Sequence, residues 1–364
     1  MATATDQRLP TIDELFAWDE DEQPRIRYLL GLRRYWMREL YPRLRRQYEH
    51  ELNGAPEPTT PDEVRPIIDR LPGLRSFLWL DAYIQHRLWE ETGRAADRRL
   101  ELASRVLEPR AEDLGTLELD PQLQLPEYYT RYDIHHQPGG IWQDDRGAVV
   151  YALGARVIHV GRNDAFQLHD AFADDIPANS PRRVLDLGCG FGKTTFSLKK
   201  RYPDAEVVGV DLSAPCLRLG RRMATERGLE IDWKQAAAER TPEPDASVDV
   251  VAMSMLLHEQ PLPEVRETLA EAQRVLRPGG VLVALEPWKT GDPFRDVLGE
   301  YHSELTGEPY IKRFRSSDVA GMVREAGFAT AEINEWSMPG SPLASELGSD
   351  QWASAWGLLT AERA

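Results

Sequence analysis

Cysteine is nearly absent from this 364-residue sequence, which holds only Cys189 and Cys216. Two thiols exclude a disulfide framework, and neither has the CxxC or Cys/His neighbourhood of a zinc site. Long hydrophobic runs are missing as well. No stretch reaches the ~18 apolar residues that span a membrane, and the N-terminus lacks the basic and apolar regions of a secretory signal. The expectation is a cytoplasmic protein with no membrane partner. Positive charge is in deficit, with 44 Lys and Arg against 60 Asp and Glu and a formal charge of −16. Such a surface repels a phosphate backbone and argues against a nucleic-acid substrate. The one basic concentration runs from Arg25 to Arg46 and holds eight arginines. They interleave with Ile26, Leu29, Leu30, Met37, Leu40 and Leu44 at helical spacing, so the plainer reading is the solvated face of an amphipathic helix. Internal repeats and low-complexity tracts are also absent.

The 41% hydrophobic content and mean hydropathy of −0.50 describe a water-soluble globular chain whose length predicts two domains. Residues 1–112 carry helical periodicity and read as an all-helical cap domain. Pro42 is expected to kink its first long helix. Thr60-Pro61-Asp62-Glu63 forms a capping box with proline at the first helical position, so a helix should start there. Pro72-Gly73 ends it, and two further helices, separated near Gly93, follow. Residues 113–180 form a connector with a Tyr/His-rich lid segment from Tyr128 to Trp142 and a helix around Gly161 to Phe172. From 181 to 364 the texture changes. The short strands VLDL, VVGVDL, VDVVAMSM and VLVALE alternate with helical stretches, the pattern of a parallel α/β sheet.

The first strand runs from Val184 into Gly188, Gly190 and Gly192, then into a helix. Glycines serve where backbone must turn tightly and approach a ligand without a Cβ. The spacing is G-x-G-x-G after an acid, not the G-x-G-x-x-G of dinucleotide enzymes, because Lys193 stands three after Gly190. Gly192-Lys193-Thr194 imitates the end of a phosphate-binding loop, but residue 187 is leucine where that motif needs glycine. Lys193 is therefore expected at the surface or at the sheet edge, at the start of the helix. The second strand ends in Asp211, placed to accept hydrogen bonds from both ribose hydroxyls of an adenosine.

Taken in order, VLDLGCGFG, VVGVDLS, SVDVVAMSMLLHE, RVLRPGG with VLVALE, and AGF at 326–328 resemble the successive motifs of class I S-adenosylmethionine-dependent methyltransferases, nearest the ubiquinone-biosynthesis type. The resemblance covers about Arg182 to Ala364. It implies a Rossmann-like, seven-stranded core whose last strand, expected at Trp352 to Thr360, runs antiparallel. It implies S-adenosylmethionine as cofactor and no metal. In that family's pattern Gly188, Gly190 and Gly192, with Cys189 in the same loop, wrap the methionine part. Asp186 helps hold its amino group, Asp211 binds the ribose and Leu212 flanks the adenine. Ala238 and Glu239 fall near the adenine amino group, although alanine at 237 replaces the usual acid. Ser254 and Met255 line the pocket under the sulfonium.

On the acceptor side, His258 at the end of the fourth strand and His135 and His136 in the lid are candidate general bases, since an imidazole with a pKa near ~6.5 accepts a proton at neutral pH. The plainer alternative is histidines satisfied at a strand end or in an ordered connector. Tyr129, Gln137, Trp142, Glu259, Glu286, Trp288, Tyr310 and Arg313 are candidate substrate contacts, the aromatics suiting an apolar acceptor or a cation. The expected function is methyl transfer to O, N or C of a small molecule in specialised metabolism. The alternatives are a protein or peptide methyltransferase that docks through the helical domain, and a non-catalytic methyltransferase-like binding protein. Apolar faces of the N-terminal helices also offer a homodimer surface.

Overall fold

The computed structural model describes residues 9–137, 139–158, 165–337 and 355–364. Thr11 and Glu14 cap each other reciprocally and start α1 (Ile12–Leu15). α2 (Glu22–Tyr35) continues through a π-helical turn, Trp36–Leu40, into α3 (Tyr41–Leu52). Pro42 stands in the first turn of α3. Its missing amide is accommodated by the widened π-turn just before it, which is the form the expected kink takes. The Thr60–Glu63 capping box starts α4 (Pro61–Ile68) as its sequence predicts. α5 (Leu74–Leu107) then runs unbroken for 34 residues, where two helices were expected.

β1 (Leu117–Glu118) and α6 (Glu127–Thr130) lead through the connector to α7 (Asp145–Ile158). α7 explains why Gly93 does not break α5. An interior glycine costs a helix about 1 kcal/mol relative to alanine, but Gly93 is buried facing α7, with Arg146 beside it. Gly154 of α7 answers it from the other side, because a Cβ there would stand 2.2 Å from Trp89 of α5. The glycines let the two helices approach closely, and packing overrides propensity.

The second half alternates as expected: α8 (Gln167–Asp174), β2 (Arg183–Leu187), α9 (Lys193–Arg201), β3 (Glu206–Asp211), α10 (Ala214–Glu226), β4 (Asp232–Gln235), β5 (Val248–Ser254), α11 (Leu262–Val275) and β6 (Leu276–Trp288). α12 (Pro293–Thr306), α13 (Ile311–Ser316), α14 (Val319–Glu325), β7 (Glu332–Trp336) and β8 (Ala355–Glu362) complete it. The sheet order is β1-β4-β3-β2-β5-β6-β8-β7. β8 is antiparallel to both neighbours and the other pairs are parallel. The seven expected strands are present, and the connector adds β1, which pairs with Trp233 and Lys234 of β4. Of the helix expected from Gly161, residues 161–164 lie outside the described residues, as do 352–354 of the expected last strand.

The helical and sheet halves share apolar cores. Ile12 and Leu15 of α1, Trp89 and Ala96 of α5, Val149 and Leu153 of α7, Leu217 and Met223 of α10, and Phe191 beside the glycine turn form one cluster. A second unites α2 to α5 with Phe294, Val297 and Leu298 of α12. In the arginine-rich segment, Arg25 pairs with Glu91 and Arg45 with Glu49, Glu57 and Asp292, so these cations are engaged by the protein's own carboxylates. No helix among the described residues is long and apolar enough to cross a membrane.

Candidate active site

The carboxyl ends of β2, β3 and β5 meet at one cavity, the place where a doubly wound sheet carries its ligand. Gly188 and Gly190 floor it in the left-handed region, at φ +68° and +55°. A Cβ on Gly190 would come within 3.2 Å of the Tyr151 ring, which roofs the turn from α7. Asp211 stands at the end of β3 with both oxygens engaged. Oδ2 accepts from the Gly190 amide and Oδ1 from the Ser213 amide, each at 2.8 Å. Burial raises its pKa against the opposing pull of those amides. A carboxylate has about four lone-pair sites, so two remain for a ligand, the number that a ribose diol needs. Leu212, Ala236 and Ala238 give the adjoining wall an apolar surface.

The connector closes the cavity with Tyr128, Tyr129, Tyr132, Ile141 and Trp142. Gln137, 3% exposed, also lines it with its carbonyl Oε1 buried without a partner, and the Tyr129 hydroxyl is likewise buried without one. These unmet groups, with the spare lone pairs of Asp211 and a floor free of Cβ atoms, fit S-adenosylmethionine, whose ribose and ammonium groups are hydrogen-bond donors.

Two strands away from Asp211, beyond β5, five charged side chains alternate. His258, 6% exposed, hydrogen-bonds Glu286 through Nδ1 at 2.5 Å, and its Nε2 lies 3.4 Å from Glu259. His135 Nε2 lies 3.6 Å from the same Glu259 oxygen, and its Nδ1 lies 3.0 Å from Glu308. The row is thus Glu286, His258, Glu259, His135, Glu308. Burial works against the charge on His258, but Glu286 and Glu259 prevail and hold its pKa well above the usual imidazole range. His135 is raised for the same reason, by Glu308 first and Glu259 second. Burial works against the Glu308 charge too, and His135 outweighs it, keeping that carboxyl below its ordinary range. His135 sits at φ +56°, a strained backbone for a non-glycine residue at a cavity wall.

Of the residues singled out in the sequence, Gly188, Gly190, Asp211, Leu212, Ala238, Met255, Tyr129, His135, Gln137, Trp142 and Glu259 line the cavity. The others stand behind its wall. Asp186, 1% exposed, accepts a hydrogen bond from Thr195 at 2.6 Å, and Glu286 receives the amides of Leu256 and Leu257 besides His258. A Cβ on Gly192 would meet Trp233 at 2.4 Å, and the Cys189 thiol is buried. Glu239 is taken up by the Tyr128 hydroxyl at 3.0 Å, and the Ser254 hydroxyl is buried without a partner. The His136 ring stacks on His86 and bonds the Leu305 carbonyl. Trp288 packs edge-on against Phe314, Tyr310 edge-on against Tyr132, and Arg313 is exposed. His258 stands behind Glu259, bonded to Glu286, and the two carboxylates hold its pKa well above the usual imidazole range, which disfavours a role as general base. Sequence reasoning missed Tyr151, although the small residues Ala148, Ala152, Gly154 and Ala155 around it signal a tightly packed helix. It also missed Glu308, for which no local signal exists. Among the described residues no group of three or more His, Cys, Asp or Glu is arranged to hold a metal ion.

Residues 184–280 match the methyltransferase-domain family. Demethylmenaquinone methyltransferase of Thermus thermophilus is 42% identical over 107 residues, 29% of this chain and 48% of that protein. Trans-aconitate 2-methyltransferase of an Azoarcus species is 37% identical over 136 residues, 36% of this chain and 51% of that one. The ubiquinone/menaquinone biosynthesis C-methyltransferase of Dinoroseobacter shibae is 37% identical over 179 residues, 44% of this chain and 71% of the relative. The chain spans about half the length of the first curated relatives it matches.

Proposed function

We infer the reaction from one premise: the chain belongs to the class I S-adenosylmethionine-dependent methyltransferases. Its reaction is transfer of a methyl group to O, N or C of a small molecule. One observation carries this reading. One cavity is lined both by a nucleoside-type anchor, Asp211, and by Glu259, whose Oε2 is buried without a partner.

S-adenosylmethionine, when bound, supplies an electrophilic methyl on a sulfonium. Asp211 would hold the ribose, the Gly188–Gly190 turn the methionine part, and Leu212, Ala236 and Ala238 the adenine. Glu259 Oε2 accepts a hydrogen bond from the polar hydrogen of the acceptor and aligns the nucleophile, and alignment with exclusion of water is the main contribution an enzyme makes to such a displacement. Glu259 would take the acceptor's proton as its nucleophile is methylated. His258 and His135 flank that carboxylate and orient it. The roof of Tyr129, Tyr132, Tyr151 and Trp142 keeps water out.

Relatives named for acceptors as unlike as demethylmenaquinone and trans-aconitate match the same core. The acceptor is accordingly read from the connector side of the cavity, and specialised metabolism is the setting we assign. The test is methyl transfer from labelled S-adenosylmethionine into a small-molecule extract, with Glu259→Gln as the control variant. Label in small molecules, lost in the variant while cofactor affinity persists, is the expected result. Label confined to macromolecules refutes the reading.

A further inference from the structure

Lys193 is expected at the surface or at the sheet edge from its sequence, yet the structure seats it over the glycine turn. It opens α9 directly after Gly192, and its Nζ lies 5.3 Å from the Tyr151 ring centroid and 5.7 Å from that of Phe191. Tyr151 is the ring that covers Gly190 and lines the cavity. Four of the other five lysines have oxygen partners, Lys199 the Ala205 carbonyl, Lys200 Asp170, Lys234 Glu243 and Lys312 Glu300, Lys289 being the exception among those the structure describes. For Lys193 no hydrogen bond or ion pair to a carboxylate occurs among the described residues; two aromatic faces are its contacts. Burial brings its pKa down to about 8, with the Cys216 thiol pulling the other way.

A cation set down on aromatic faces without a counter-ion is held short of its best partner, since a charge-assisted bond to a carboxylate is stronger than a cation–π contact. The cavity below it has carboxylates at Asp211 and Glu259 but no lysine or arginine in its wall. The cofactor's methionine end carries an ammonium and a carboxylate. Gln137 Oε1 offers an acceptor for the ammonium, and for the carboxylate the wall offers neutral donors such as the Tyr129 hydroxyl but no cation. The first turn of α9, where Lys193 sits, adds the partial positive charge of a nine-residue helix.

We propose that Lys193 is the counter-ion of the cofactor's carboxylate, its ammonium swinging from the Tyr151 and Phe191 rings onto that group when the methionine end enters the glycine turn. This rests on the methyltransferase reading. Lys193 is then a positioning residue: by pinning the far end of the methionine chain it fixes where the sulfonium lies relative to Glu259.

Calorimetry on the full chain tests it with two ligands, S-adenosylhomocysteine and its decarboxylated analogue, which keeps the ammonium. Lys193→Met should weaken S-adenosylhomocysteine about ten-fold or more and leave the analogue within about two-fold, while Lys193→Arg restores most of the loss. Wild type should also take up a proton on binding S-adenosylhomocysteine near pH 8.5, read as a heat that varies with buffer ionisation enthalpy, and Lys193→Met should not. Equal weakening of both ligands, or no change in either, overturns the proposal. Failure of the wild type to bind either ligand would instead sink the methyltransferase reading and this proposal with it.

Discussion

Replacing Asp211 with asparagine isolates the charge at the nucleoside end, because the side chain keeps its shape. In wild type two lone pairs of the carboxylate are used by the Gly190 and Ser213 amides, at 2.8 Å each, and two face the cavity. Asparagine has one acceptor oxygen and one NH2. That oxygen will stay with one of the two amides, and the NH2 will face the other amide as donor against donor. The ligand hydroxyls then lose charge-assisted acceptors worth about 1.5–3 kcal/mol, a rise in Kd of roughly 10- to 150-fold. Calorimetric titration with S-adenosylhomocysteine reads this directly. A thermal melt without ligand separates it from loosening of the turn, which the same substitution also causes. An affinity within two-fold of wild type, with an intact fold, would remove Asp211 from the ligand's contacts and refute the lone-pair count.

Gly154→Ala places a methyl 2.2 Å from the Trp89 ring and should destabilise the chain by about 1–3 kcal/mol through overpacking; an unchanged urea midpoint contradicts the close-approach account of α5 and α7. Asp186 has its pKa pushed up to about 7, by burial first and by Asp211, against the Thr195 hydrogen bonds. The folded state therefore binds that proton more tightly than an unfolded chain with the ordinary value of 3.8. Its contribution to stability is complete below pH ~4, fades as pH rises toward 7 and is gone beyond. Asp186→Asn should flatten the stability curve across that window, and parallel curves for the two proteins count against it.

The part of the site legible in the sequence is the part written contiguously. Val184 to Gly192 holds a strand, an acid and a turn in nine residues, and Asp211 follows at the end of the next strand. Each can be read because a buried parallel strand needs a run of β-branched residues and a tight turn needs glycine. The connector was opaque for the opposite reason. β1 is two residues long, too short for alternation to register, and it joins the sheet only because β4 presents an open edge. Gly93 misled because a glycine's local cost is visible in the sequence while the Trp89–Gly154 contact that outweighs it is not. His258 was visible as a histidine at a strand end. Its pairing was not, since that depends on Glu286, 28 residues further along and one strand over.

Phe191, inside the glycine turn, belongs to the same apolar cluster as Ile12, Leu15 and Trp89. A ribosome releases those three long before it releases Phe191. α5 meets α7 first, and Phe191 and the α10 residues complete the cluster only once the second half has been made. The glycine turn is thus made after much of the apolar surface that backs it.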